Sequence, residues 1–69
     1  MSFAVILTNT GSNNMNVIKA IRDVTGFDLK EAKDLADNPP QTIKRALNRQ
    51  EAEAIAKKFK DVGAGVKIE

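Results

Sequence analysis

Apolar positions fall into short groups along the chain, and the spacing inside each group predicts its conformation. Phe3-Ala4-Val5-Ile6-Leu7 is an unbroken apolar run of residues that suit a pleated surface. Apolar side chains on both alternating sets predict a central strand with at least one face under helices. Thr8 to Asn14 is a polar loop punctuated by Gly11, and Asn13 or Asn14 is placed to cap the next helix. Val17 to Leu35 then reads as two short helices joined at Thr25-Gly26-Phe27. At about 100° per residue, Val17, Ala20, Ile21 and Val24 share one face of the first helix, the core stripe. Met15 and Ile18 fall on the adjoining side, beside Lys19 and Arg22. Gly26 ends this helix as a left-handed residue would, at no steric cost.

Asp28 and Glu31, three apart, match a capping box that opens the second helix. That helix is expected to bury Leu29, Ala32, Leu35 and Ala36, with Lys30 and Lys33 together on one flank. Asn38-Pro39-Pro40 must stop it, because proline lacks the N–H and disfavours helix in the residue before it. Gln41 to Leu47 reads as an edge strand whose Lys44 and Arg45 discourage pairing with another chain. Asn48 and Glu51 make a second capping box. Ala52, Ile55, Ala56, Phe59 and Val62 follow it at i, i+3, i+4, i+7 spacing, with Glu53 and Lys57 as an i,i+4 pair on the outer face. Gly63 closes this helix, and Val66 and Ile68 alternate with Lys67 and Glu69 in a final strand.

The predicted order is β-α-α-β-α-β. With the last β-α-β as a split unit, the first strand lies between the other two and runs antiparallel to both. Right-handed crossover then puts all three helices on one face. The expected fold is an α+β two-layer sandwich, a single domain over residues 1–69, with a three-stranded antiparallel sheet. Truncation of Phe59 is expected to cost roughly 3–5 kcal/mol, most of the stability of so small a domain.

Composition narrows the chemistry. The 69 residues include no cysteine and no histidine, so disulfides, thiolate metal sites and histidine catalysis are excluded. Ser2 and Ser12 have no evident base, and Asp28, Glu31 and Glu51 are accounted for as helix-start residues. No catalytic residue, metal or cofactor is expected, and Gly63-Ala64-Gly65 is a C-cap and turn rather than a nucleotide loop. The formal charge is only +2, too small for a nucleic-acid-binding tail. Two basic clusters, Lys19, Arg22, Lys30 and Lys33 and then Lys57, Lys58 and Lys60, still allow an alternative, a small basic RNA-binding domain. Tyrosine and tryptophan are absent for base stacking, and Gly26-Phe27-Asp28-Leu29 lacks the second glycine of a KH-type clamp. No apolar run approaches the ~18 residues of a membrane span, and no signal peptide opens the chain. A cytoplasmic domain without membrane contact is expected.

The sequence resembles the C-terminal domain of the bacterial large-subunit ribosomal stalk protein. FAVIL at Phe3–Leu7, Gly11, VIKAIR at Val17–Arg22, Thr25-Gly26, LKEAKDL at Leu29–Leu35, Pro40, AEAI at Ala52–Ile55 and GAGV at Gly63–Val66 carry the likeness. The resemblance implies the same β-α-α-β-α-β sandwich, and a role in recruiting translational GTPases such as elongation and initiation factors. The implied contact residues are Val17, Ile18, Lys19, Arg22, Lys30 and Lys33, with Gly26 and Leu29 nearby. Met15 joins them as an apolar anchor in place of a smaller aliphatic residue. Asn14 stands where the family usually has a lysine, and Asp23 where it has a small residue; both changes weaken the basic field. Because the chain begins at the first strand, the family's dimerisation domain and hinge are not in it. A monomer is therefore expected: a stand-alone or virus-encoded homologue that recruits or competes for factors, or a piece of a longer protein. The fold also resembles the ClpS protease adaptor, a distant protein-adaptor analogy, because no acidic pocket for an N-terminal amine is evident.

Overall fold

A computed structural model describes residues 1–69. Strand β1 (Phe3–Asn9) leads to helices α1 (Asn14–Thr25) and α2 (Leu29–Asp37). Strand β2 (Gln41–Leu47), helix α3 (Arg49–Asp61) and strand β3 (Gly65–Ile68) follow. The sheet order is β2-β1-β3, and β1 runs antiparallel to both neighbours. Both ladders of the central strand are therefore occupied.

One core joins the sheet to all three helices. Leu7, Ile43 and Ala64 meet Val17, Ala20 and Ile21 of α1, Ala32 and Ala36 of α2 and Phe59 of α3. A smaller cluster of Val5, Leu47 and Ala52 closes the other end. Ile6 is buried but belongs to neither cluster, which marks it as the β1 side chain on the helix-free face. Phe59 is the largest fully buried side chain, as its place in the α3 stripe predicts.

Local details depart from the sequence expectations. Asn13 occupies the cap of α1 but its side chain accepts no cap hydrogen bond. Asp28 does accept from the Glu31 backbone N–H at 2.8 Å. The reciprocal half of that capping box is missing, whereas both halves are present at Asn48 and Glu51. Leu29, expected in the core, is exposed: as the first residue of α2, beside the α1–α2 turn, it joins neither core cluster. The Glu53–Lys57 pair does not form. Each residue reaches its other i±4 neighbour instead, Arg49 with Glu53 at 3.0 Å and Lys57 with Asp61 at 2.7 Å. Exposed pairs of this kind differ by only a few tenths of a kcal/mol, so register is easily exchanged.

Three contacts between elements lie outside any periodic pattern. The Thr10 hydroxyl, buried, donates to the Ala36 carbonyl and ties the loop after β1 to the end of α2. Lys44 donates to the Val24 carbonyl at 3.1 Å, so this edge-strand cation also neutralises the negative end of α1. In β2, Arg45 and Ala46 together oppose Ala4 of β1, a bulge in which Ala46 takes φ 61°. A regular strand would place Arg45 on the face of Ile43 and Leu47. The bulge leaves it in solvent.

Candidate partner-docking site

The α1–α2 turn is built by one side chain. The Thr25 hydroxyl donates to the Ile21 carbonyl at 2.6 Å and accepts from the Phe27 N–H at 3.1 Å. Gly26, at φ 75°, returns its N–H to the Arg22 carbonyl at 2.9 Å. A left-handed residue here costs glycine nothing. The chain reverses sharply, and Phe27 and Leu29 come to lie alongside the outer face of α1.

The result is an open groove of about 730 Å³. Met15, Ile18, Lys19 and Arg22 form its α1 wall, Gly26 its end, and Phe27 and Leu29 its α2 side. Three of the five large apolar side chains exposed on this protein lie here: Met15 at 82% exposure, Leu29 at 56% and Phe27 at 37%. One such residue is ordinary; three around one groove make a patch. Ile18 is partly buried, because its inner side packs against the main core. It forms the floor, and Met15 stands free at the rim.

The cations of this region divide into two kinds. Lys19 and Arg22 have no carboxylate within ion-pairing distance. Lys33 is held by Asp37 at 3.0 Å, and Lys30 loosely by Asp34 at 3.9 Å. Neither Lys30 nor Lys33 lines the groove. Val17 is fully buried in the core; it faces away from the groove because it lies on the core stripe, and it is out of reach of a docked partner. The structure therefore brings together Met15, Ile18, Lys19, Arg22, Gly26 and Leu29. It sets Lys30 and Lys33 on the neighbouring flank.

Three groove residues, Asn16, Asp23 and Phe27, lie outside the expected contact set. Phe27 follows a helix-ending glycine, where an apolar residue commonly packs back on the helix it leaves; that position was its available signal. Asp23 also lines the groove, with its carboxylate 3.5 Å from the Lys58 ammonium of α3. Beyond Phe27 lies a second, shallower groove of about 430 Å³, walled by Glu31, Asp34, Asn38 and Gln41 over Phe27 and Leu35. No local pattern marks an acidic surface here, because Glu31 reads as a helix-start residue.

The α3 cations are less available. Lys57 pairs with Asp61 and Lys58 with Asp23, which leaves Lys60 alone without a partner. No helix is long and apolar enough to cross a membrane.

Residues 3–69 match the family described as ribosomal protein L7/L12 C-terminal domain. Among curated relatives, the chain is 56% identical over 66 residues to the large ribosomal subunit protein bL12 of Chlorobium limicola, covering 96% of this chain and 53% of that protein. The bL12 proteins of Pelodictyon phaeoclathratiforme and Solibacter usitatus are each 54% identical over 66 residues, again 96% of this chain and 53% and 52% of theirs. The chain thus spans about half the length of the curated relatives it matches.

Proposed function

The chain belongs to the ribosomal protein L7/L12 C-terminal domain family, and from that premise we propose that it is a translation module that docks translational GTPases through the α1–α2 groove. The observation that carries this reading is the coincidence, in one groove, of exposed Met15, Phe27 and Leu29 with the unpaired cations Lys19 and Arg22. An apolar centre with a charged rim is the anatomy of a transient protein interface. The cations draw in an acidic partner and set the encounter rate, while the apolar side chains hold the complex once formed. Lys30 and Lys33, each beside a carboxylate of α2, lie on the neighbouring flank and add less to the positive field.

The domain acts by binding and not by covalent chemistry, in the cytoplasm where ribosomes work. Recruitment of elongation and initiation factors to the ribosome, or competition for them away from it, both use this face.

Titration of the isotope-labelled domain with an elongation-factor GTPase, followed by amide chemical shifts, tests the proposal. Shifts are expected at Ile18, Lys19, Arg22, Gly26, Phe27 and Leu29. Shifts confined to α3 would overturn the proposal; the RNA-binding alternative requires instead that RNA bind with a steep salt dependence and that substitutions at Lys57, Lys58 and Lys60 hurt most.

A further inference from the structure

Phe27 separates two grooves of opposite character, and both are lined by its ring. On the α1 side the polar groups nearest the apolar centre are the free cations Lys19 and Arg22. On the α2 side the wall is made of oxygen acceptors. Glu31 forms no ion pair, and its side chain accepts no hydrogen bond within the protein. Asp34 has only the 3.9 Å contact to Lys30. The Asn38 side-chain amide donates to the Asp34 carbonyl at 2.8 Å, and that of Gln41 donates to the Asn38 carbonyl at 2.9 Å. Both amides turn nitrogen toward the backbone, which leaves Asn38 Oδ1 and Gln41 Oε1 with no donor from this chain. Below these oxygens lie Phe27 and Leu35, an apolar floor.

An apolar floor under acceptors suits an amphipathic cation. The alkyl stem of a lysine or arginine covers aromatic and aliphatic surface while its head seeks carboxylates, and an aromatic ring adds a cation–π attraction. A carboxylate would be repelled there. We propose that the docked partner presents a bipolar segment: carboxylates over Lys19 and Arg22, an apolar side chain against Phe27 and Leu29, and a lysine or arginine across Phe27 whose cation meets Glu31 and Asp34. This rests on the docking reading above and adds to it a charge order, and hence a direction in which the partner segment lies across the turn. A uniformly acidic partner fits only half of the surface.

The substitution Glu31→Gln gives opposite signs under the two descriptions. It keeps the side-chain size, and the Asp28 cap binds the Glu31 backbone rather than its side chain, so folding is preserved and a thermal melt checks this. For a partner that is acidic throughout, removing a negative charge beside the groove strengthens binding. For a bipolar partner it weakens binding, about fivefold for a partly exposed ion pair, and the loss shrinks as salt is raised. The probe is an elongation-factor GTPase, with Kd measured by calorimetry at low and high salt for the unsubstituted domain, Glu31→Gln and Asp34→Asn. Weaker binding by both variants, with unchanged melting, supports the charge order. Tighter or unchanged binding overturns it while leaving GTPase docking intact. Failure of the unsubstituted domain to bind overturns the docking reading and the charge order together.

Discussion

The Asp23 carboxylate of α1 lies 3.5 Å from the Lys58 ammonium of α3, and both side chains are about half exposed. This pair places a negative charge at the edge of the basic groove and takes one cation of α3 out of circulation. Its value to folding is small, under about 1 kcal/mol for an exposed pair. Its effect on docking is larger, because Asp23 lies one residue from Arg22 and opposes the field that attracts an acidic partner. Asp23→Asn is therefore expected to change the unfolding free energy by less than about 1 kcal/mol while raising the association rate with an elongation-factor GTPase. Stopped-flow measurements at two ionic strengths check this, and the gain must fade at high salt.

The division between free and paired cations predicts a ranking. Lys19 and Arg22 are unpaired and line the groove, whereas Lys33 is engaged by Asp37 on the flank. Lys19→Glu and Arg22→Glu should each slow GTPase association several-fold, with dissociation less affected. Lys33→Glu should do less, since its charge is already offset at 3.0 Å by Asp37. Equal losses at all three positions would show that net charge matters and local pairing does not.

How much of this was legible in the sequence depends on the kind of interaction. The core stripe Val17-Ala20-Ile21-Val24 and the α3 stripe Ala52-Ile55-Ala56-Phe59-Val62 follow from helical periodicity; Val24, Ile55 and Val62 are partly buried and the other six are buried. Strand β2 was readable over Gln41–Leu47, although its bulge at Ala46 was not: no glycine marks it. The outward turn of Met15 was legible because it lies off the stripe. Leu29 was misplaced because helical phase alone does not say whether the first residue of a helix is covered. Asp23–Lys58, Lys44–Val24 and Thr10–Ala36 join residues 20 or more positions apart, and no local spacing encodes them. Of these, Asp23–Lys58 alters the charge at the groove, whereas Lys30–Asp34 and Lys33–Asp37 are i,i+4 pairs that local spacing allows.

Two left-handed glycines should respond differently to the same substitution. At Gly26, φ 75°, an added Cβ meets nothing within 4 Å. Gly26→Ala then bears only the backbone penalty, about 1–2 kcal/mol. At Gly11, φ 76°, the Cβ would also collide with the backbone carbonyl oxygen of Gly63, which has no flexible side chain to yield. Gly11→Ala is expected to cost roughly 3 kcal/mol or more. Urea denaturation distinguishes them, with similar slopes and a much lower midpoint for Gly11→Ala.

Ala46 offers the converse experiment. It holds φ 61° on an exposed stretch of β2, in a bulge that keeps Arg45 out of the core. An L-residue in this region bears roughly 1–2 kcal/mol of strain, whereas glycine adopts it freely at the expense of greater freedom in the unfolded chain, about 0.5–1 kcal/mol. The difference favours glycine, so Ala46→Gly should stabilise the domain by about 0.5–1 kcal/mol. For a domain of this size that raises Tm by about 2–8 °C. Ala46→Val should lower it, since a β-branched side chain tolerates positive φ least. The site is remote from the α1–α2 groove, so GTPase affinity should be the same in all three proteins. A Tm that falls with glycine would mean that the bulge is held by neighbouring packing tightly enough for backbone strain at Ala46 to be immaterial.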